Sequence, residues 1–461
     1  MTFVPHTDSQ RADMLKQVGA DSIEDLLRPI PANLRLNREL RVPPALGEVE
    51  LWQTAAGQLA KNQFIPPNRV FAGGGVYPHH VPAVVDELGH RGEFYSAYTP
   101  YQPEVSQGML QSIYEYQSYI CMLTGMEVSN ASGYDGGTTL ADGVLMAYHA
   151  ARGKRPRVLC APFVDRERWR IVETYNLGPR LTLQTLAPGP DGRLSPAALD
   201  AALSDDVACV VFQYPDCLGY LEEELAALIE TAHRHGALAV FSYYPFASGL
   251  LKSPGELGAD IVSGDAQCFG NPMAYGGPLL GFIACREKLV RNLPGRLIGR
   301  TVCERRQAPG EQFEDGEAFV MTLQAREQHI RRDKAMSNIC TNQALMALRS
   351  CIYLGAVGKS GLEQLAGLCH ANALHAHGRL TEIDGVEDYF PGRSFFNEFT
   401  LRFQPGKAKA LHDAALAGGM LAGMPPPVNG GAQDALTFAF TEVHHAADMA
   451  ALIKLVREVL S

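Results

Sequence analysis

Short β-type runs that alternate with helical stretches between residues 157 and 285 constrain the fold of this chain more than any other feature. The runs have the length of buried strands and are rich in Val, Ile, Phe and Tyr, whereas the stretches between them carry apolar residues at helical spacing. The series comprises strands at 157–163, 208–214, 238–243, 260–262 and 280–285, and helices at 166–175 and 222–235. Because such alternation favours a parallel sheet covered by helices, we predict an α/β body.

The segments on either side of this body differ from it in pattern. Near the N-terminus, 8–18 and 22–27 have helical periodicity, and Ser22 with Asp25 resembles a capping pair. Residues 107–125 predict a long, mostly buried helix. After about residue 341, an Ala- and Leu-rich helix precedes a mixture of strands and helices. We predict an N-terminal helical wrapping segment at 1–65, a large α/β domain at 66–340 and a small C-terminal α+β domain at 341–461.

The composition excludes several classes of function. The chain has 461 residues and is 46% hydrophobic, so it can bury a large core, but its apolar runs are far shorter than the roughly 20 residues that cross a bilayer. The first residues lack the pattern of a signal peptide, and we expect a cytoplasmic protein that does not use a membrane. A formal net charge of −10 disfavours nucleic-acid binding.

A turn rich in small residues, 129–139, lies between the helix at 107–125 and a second helix that runs to residue 151. Small residues at a helix start leave backbone N–H groups open, so the turn is able to hold a phosphate or another anion. Glycine-rich turns more often have no function beyond the turn itself, and this alternative stays open.

The loop at 93–108 combines three tyrosines with carboxylates and amides and is interrupted by two prolines. Aromatic rings with polar tips are typical of clefts and interfaces, where the rings bury area and the hydroxyls find partners. The alternative is a loop that its tyrosines hold against its own domain.

Residues 317–332 are predicted to form a charged helix, which suits either a solvated, salt-bridged surface or an anion- or partner-binding role. Histidines occur in close pairs, such as 79 with 80, but adjacent positions point to different faces of a helix. We therefore expect no metal site from these pairs.

Seven stretches spread over nearly the whole chain resemble the glycine decarboxylase P-protein family, and in particular its first subunit in organisms that encode the enzyme as two chains. These stretches are 93–108, 125–140, 254–262, 275–284, 294–299, 322–342 and 395–399. The resemblance implies the fold of pyridoxal-phosphate (PLP) enzymes of the aspartate aminotransferase type, also called fold type I. Such a fold has a large domain with a mainly parallel seven-stranded sheet and a smaller C-terminal domain.

In that fold, the lysine that binds PLP follows the strand at 260–262, but this chain has no lysine between Lys252 and Lys288. Without an amine there, the Schiff base that holds and activates PLP does not form. The acid expected to face the pyridine nitrogen is also missing, because the strand at 238–243 ends in Phe241-Ser242-Tyr243. The resemblance thus implies that this chain binds no cofactor and that a sister subunit carries PLP in an α2β2 assembly.

The resemblance also implies a reaction, in which glycine loses CO2 and its aminomethyl group passes to the lipoyl arm of H-protein. We predict that five residues line the partner's active-site cavity or the lipoyl channel: Tyr95, Tyr98, Tyr101, Glu104 and Gln107. A vestigial phosphate-type turn is expected at Asp135, Gly136, Gly137 and Thr138. Candidate contacts for the partner or an anion are Arg326, His329, Arg331 and Arg332.

Departures from the family pattern keep two alternatives open. Gly137 and Thr139 stand where alanines are usual, Gly264-Asp265-Ala266-Gln267 replaces Gly-Glu-Gly-Gln, and a polar insertion is apparent at 303–313. The two alternatives are a divergent paralogue acting on another substrate and a non-catalytic scaffold of the same fold. An autonomous PLP enzyme would need the missing lysine.

Overall fold

The computed structural model describes residues 5–305, 314–428, 432 and 434–461, so most of the apparent insertion at 303–313 lies outside the described residues. The chain divides into two compact units, Met1–Gln63 and Phe64–Ser461. The first contains helices α1 (Asp8–Gln17), α2 (Ile23–Leu26) and α3 (Glu48–Leu59). The predicted pair of Ser22 and Asp25 is confirmed as a capping box. None of the described residues of this unit is buried.

The second unit is built on a seven-stranded, mainly parallel sheet, which confirms the predicted α/β class. Its strands are β1 (Val128–Ser129), β2 (Arg157–Cys160), β3 (Thr182–Thr185), β4 (Val207–Tyr214), β5 (Leu238–Tyr243), β6 (Ile261–Asp265) and β7 (Gly281–Cys285). Their order is β1-β7-β6-β5-β4-β2-β3. Strands β2 to β6 run parallel, whereas β7 is antiparallel to both β6 and β1.

Helices cover both faces of this sheet because its central strands carry apolar side chains on both sides. The helices of this region are α4 (Ala83–Gly89), α5 (Gln107–Thr124), α6 (Gly136–Ala150), α7 (Arg166–Tyr175), α8 (Pro196–Ala202), α9 (Leu225–Arg234) and α10 (Pro254–Leu257). The long buried helix predicted at 107–125 is confirmed as α5, which ends at Gly125 in the left-handed conformation.

A two-stranded hairpin corrects one prediction. Strands β8 (Leu297–Arg305) and β9 (Glu314–Thr322) pair antiparallel, so the helix predicted over 317–332 is wrong for its first six residues. Phe319 and Met321 alternate with more exposed residues and pack against α5, which is the period of a strand. Only short helical turns follow, including α11 (Gln328–Arg331).

The C-terminal part begins with the long helix α12 (Ala344–Thr381), whose backbone is non-helical at Gly358. A three-stranded antiparallel sheet follows, in the order β10-β11-β12, and Phe71 and Leu218 also contribute to the apolar core around it. The strands and helices that follow α12 are β10 (Val386–Asp388), β11 (Glu398–Phe403), α13 (Lys407–Ala417), β12 (Ala435–Ala439) and α14 (Ala446–Leu460). Among the described residues, no helix combines the length and apolar character needed to cross a bilayer.

Candidate functional site

The carboxyl ends of β5 and β6 lie side by side at the centre of the large sheet. Ser242, near the end of β5, accepts a hydrogen bond from Nη1 of Arg168 at 2.7 Å. Directly after β6 stand Ala266, Gln267 and Cys268, which are all buried. This part of the sheet therefore offers neither an amine nor an acid at the positions named in the sequence analysis.

The backbone amides of the turn that begins α6 form hydrogen bonds with carboxylates of this same chain. The carboxylate of Asp135 accepts hydrogen bonds from the N–H groups of Gly137 and Thr138 at 2.8 and 2.9 Å. Asp265 accepts from the N–H of Gly136 at 3.1 Å, and burial raises the pKa of this aspartate although three backbone amides oppose the shift. A phosphate at this turn would have to displace one carboxylate and lie beside another.

The residues at these strand ends and at this turn differ from those that hold PLP. The cofactor requires a lysine for its aldehyde, a partner for its ring nitrogen and donors for its phosphate. The chain instead presents a glutamine in the run after β6, a serine near the end of β5 and a turn whose amides already have partners. These residues do not fit the group.

Two clefts adjoin each other at Tyr95. The larger, of about 440 Å³, lies between residues 94–98 and the beginning of α12, and it is lined by Tyr98 and Leu345 among others. The smaller, of about 260 Å³, lies between α4 and the loop that follows β6. Tyr95 and Tyr98 are 57% and 86% exposed, so their rings are available to another molecule.

The other three residues predicted from the tyrosine-rich loop lie in different surroundings. Tyr101 is half-exposed, and its ring edge contacts the ring of His329 with centroids 6.4 Å apart. Glu104 is exposed in a short 3-10 turn. Gln107 uses its amide on β9: its Nε2 donates to the carbonyl of Phe319 at 2.9 Å, and its Oε1 accepts from the N–H of Phe319 at 2.8 Å. Gln107 therefore holds the hairpin against α5.

The four candidate contact residues after the hairpin divide into two groups. Arg326 is partly buried and donates to the carbonyl of Gly295 at 3.0 Å, and burial lowers its pKa. His329, Arg331 and Arg332 are exposed. Only this second group is presented to solvent as a surface patch.

A buried cluster joins residues that are distant in sequence. Nδ1 of His79 lies 2.8 Å from Oε2 of Glu442, and its Nε2 lies 2.5 Å from the hydroxyl of Tyr244. The thiol of Cys369 donates to the same carboxylate oxygen at 3.4 Å, and the possible ligand atoms of His79, Cys369 and Glu442 lie within 4.8 Å of one another. Burial would raise the pKa of Glu442, but the charge and side-chain hydrogen bond of His79, together with the N–H of His80, outweigh it and lower that pKa to about 2.

Sequence reasoning missed Arg168, Asp265 and the buried Arg296 near the larger cleft. The residues that they contact lie far away along the chain; Asp265, for example, accepts a hydrogen bond from Gly136. Contacts of this kind cannot be predicted from the spacing of residues in the sequence. Asp265 alone had a signal, since it is a carboxylate directly after a predicted buried strand.

The strand order, the antiparallel β7 and the small C-terminal sheet define the fold of PLP-dependent enzymes of fold type I. A crystal structure of rice (Oryza sativa) TDC with PLP and tryptamine matches with a TM-score of 0.67 at 13% identity, over 100% of this chain and 99% of that one. At this identity the match shows the fold alone. An inhibitor-bound crystal structure of glycine decarboxylase (P-protein) of the glycine cleavage system matches with a TM-score of 0.86 at 41% identity, over 100% of both chains.

Curated relatives match this chain over nearly its full length. Proteins named probable glycine dehydrogenase (decarboxylating) subunit 1 are 44% identical in Thermomicrobium roseum, over 99% of both chains, and 42% identical in Moorella thermoacetica, over 100% of both. The family model described as glycine cleavage system P-protein matches residues 1–456. This chain belongs to the glycine cleavage system P-protein family.

Proposed function

We propose that this chain is the cofactor-free subunit of a two-subunit glycine decarboxylase. The observation that carries the proposal is the loss of the lysine after β6 in a chain that otherwise matches the family from end to end. Its relatives are named subunit 1, a name that implies a second subunit. That subunit bears PLP in this proposal, and two copies of each form an α2β2 assembly in the cytoplasm.

In the proposed reaction, the complex converts glycine and the lipoylated H-protein into CO2 and the aminomethylated H-protein. This chain supplies part of the wall around the partner's active site and the lipoyl channel. Tyr95, Tyr98 and Tyr101 expose their rings on one loop, and an exposed cluster of aromatics is typical of a surface that another protein covers. Glu104 extends this surface, whereas Gln107 supports it from within through the hairpin.

The basic side chains after the hairpin support a second contact. Arg331 and Arg332 are exposed, and neither forms an ion pair with an acid in the parts of the chain that the structure describes. His329, which is close to both arginines in sequence, contacts the ring of Tyr101 in the tyrosine-rich loop. We assign this patch to contact with the partner subunit or with an anionic group of the carrier protein.

The test is reconstitution. The chain is purified alone and together with its sister subunit, and the exchange of labelled CO2 into glycine is measured with lipoylated H-protein present. We expect exchange only from the pair. A pair that assembles and binds PLP but ignores glycine would point to another substrate, and a pair without cofactor or exchange would point to a scaffold.

A further inference from the structure

The beginning of helix α12 lacks the partners that most helix starts have. Gln343, at the position before the first helical residue, makes no side-chain cap, and no acidic residue stands in the first turn. Within the described residues, the N–H groups of Ala344, Leu345 and Met346 have no hydrogen-bond acceptor. Open amides at a helix start carry partial positive charge and attract anions.

A buried cation lies close to this helix start. Arg296 is only 6% exposed, and its two terminal nitrogens donate to the side-chain oxygen of Asn342 at 2.9 Å and to the carbonyl of Cys340 at 3.2 Å. Its Nε is buried without a partner. No carboxylate of the described residues lies within ion-pair distance of Arg296. A buried guanidinium without a counter-charge is costly, so an anion from outside the described chain would stabilise it.

The helix start lines the larger cleft, and Arg296 lines a recess that adjoins this cleft. Ala344 and Leu345 line the cleft of about 440 Å³, and Arg296 lines a recess of about 10 Å³ behind it, large enough for one water molecule. Tyr98 and Ala344 line both spaces. Among the described residues that line the cleft and the recess, none is acidic, so nothing there repels an anion.

We propose that this cleft binds a small oxyanion of the phosphate type. The first-turn amides of α12 donate to the anion, and Arg296 balances its charge directly or through one water in the recess. The site is separate from the turn at Asp135, whose amides are already bonded to carboxylates. The binding site stands on this geometry alone, and only the source of the phosphate, free or carried by the cofactor of the partner, rests on the proposed function.

The first test uses inorganic phosphate and the full chain. Phosphate binding is followed by calorimetry, and thermal unfolding is recorded for each variant. Gln343→Asp places a carboxylate where it caps the same amides, so we expect phosphate to bind at least about tenfold more weakly without loss of thermal stability. Gln364→Asp makes the same change at an exposed position later in α12 and serves as the control, with binding unchanged.

Arg296→Gln removes the cation, and we expect it to weaken phosphate binding as well. Should this variant fail to fold, Gln343→Asp still decides the outcome. Absence of saturable phosphate binding to the unmodified chain, or equal binding by Gln343→Asp and Gln364→Asp, would overturn the proposal.

A second arm identifies the source of the phosphate. Phosphate is titrated into the complex with the sister subunit, with PLP present and after PLP is removed. Loss of phosphate binding only in the PLP-bearing complex identifies the cofactor's phosphate as the natural anion, and binding in both identifies free phosphate. Association of the two subunits is measured separately by size-exclusion chromatography, so a failure to associate counts against the proposed function and leaves the titration of the single chain valid.

Discussion

At the scale of single residues, Gln107 shows how one side chain joins two distant segments. Its amide pairs with both backbone groups of Phe319, 212 positions later in the chain. A strand normally receives such a pair of bonds from a neighbouring strand. The side chain therefore extends the edge of the hairpin onto helix α5.

We predict that Gln107→Ala destabilises the chain by about 1–3 kcal/mol, because the N–H and carbonyl of Phe319 lose their partners in a half-buried position. The midpoint of urea unfolding measures this change. Gln111→Ala, on the exposed face of the same helix, is the matched control and is expected to change the free energy of unfolding by less than about 0.5 kcal/mol. Equal effects of the two substitutions would contradict the structural assignment of Gln107.

Asp142 couples stability to pH. It lies buried on α6, one of its carboxylate oxygens has no hydrogen-bond partner among the described residues, and burial raises its pKa from 3.8 to about 7. Between these two values the folded state holds a proton that the unfolded state has released. The contribution of Asp142 to the free energy of unfolding therefore falls as the pH rises through this window.

We predict that Asp142→Asn reduces the loss of stability between about pH 4.5 and about pH 7.5, since the amide does not titrate. Urea unfolding at a series of pH values measures the effect, and Asp205→Asn at an exposed position is the control. An unchanged pH dependence in Asp142→Asn would show that Asp142 keeps an ordinary pKa in the folded state.

The sequence was sufficient to predict which residues stand at the ends of β5 and β6, but not which distant residues contact these strand ends. The absence of a lysine after β6 and the serine near the end of β5 follow from strand positions, which local hydrophobic patterns reveal. Arg168 contacts Ser242 across 74 positions, and Asp265 reaches Gly136 across 129. Contacts of this range depend on tertiary packing, which no local pattern encodes.

At the scale of elements, two glycines of helix α5 have opposite roles. Gly125 ends the helix with φ +69°, a conformation that is unfavourable for residues with a Cβ, and a Cβ there would approach Ser253 Oγ at 2.5 Å. Gly108 lies inside the first turn, and a Cβ there would meet nothing within 4 Å. Gly125 is required by the local structure, whereas Gly108 is not.

We predict that Gly125→Ala destabilises the chain by about 1–2 kcal/mol, while Gly108→Ala stabilises it by up to about 1 kcal/mol. The two substitutions add the same methyl group to the same helix, so each is the control for the other in thermal or urea unfolding. A result with the same sign for both would contradict the described end of α5.

The hairpin explains why the element prediction failed after residue 316. Charged residues are frequent there and resemble an exposed helix, but Phe319 and Met321 repeat at the period of a strand. The short strands β1 and β3 were missed for another reason. Strand β3 lies at the edge of the sheet and is largely exposed, so it lacks the apolar signature of the central strands.

At the scale of the whole molecule, the tyrosine-rich loop and the larger cleft form one surface. Tyr98 is the most exposed of the three tyrosines and lines both the cleft and the recess in front of Arg296. In the proposed complex this surface faces the active site of the partner. Changes to it are expected to alter the reaction of the complex more than the fold of the chain.

We predict that Tyr98→Ala, with the partner subunit at saturation, lowers the glycine-dependent exchange of CO2 by about tenfold or more, since a wall of the site is lost. Tyr98→Phe keeps the ring but removes the hydroxyl, so its activity shows how much of the effect comes from ring packing and how much from the hydroxyl. Thermal unfolding of the chain alone is expected to be unchanged in both variants, because the side chain is 86% exposed. Full exchange activity in Tyr98→Ala would remove this residue from the proposed site.

In the proposed complex, PLP belongs to the partner and not to this chain. Borohydride reduction of the reconstituted complex, followed by measurement of the intact mass of each subunit, shows which subunit carries PLP, because reduction fixes a Schiff-base cofactor to the lysine that holds it. We predict that the sister subunit gains the mass of one pyridoxyl phosphate and that this chain keeps its original mass. A pyridoxyl phosphate on a lysine of this chain would show instead that this subunit holds the cofactor.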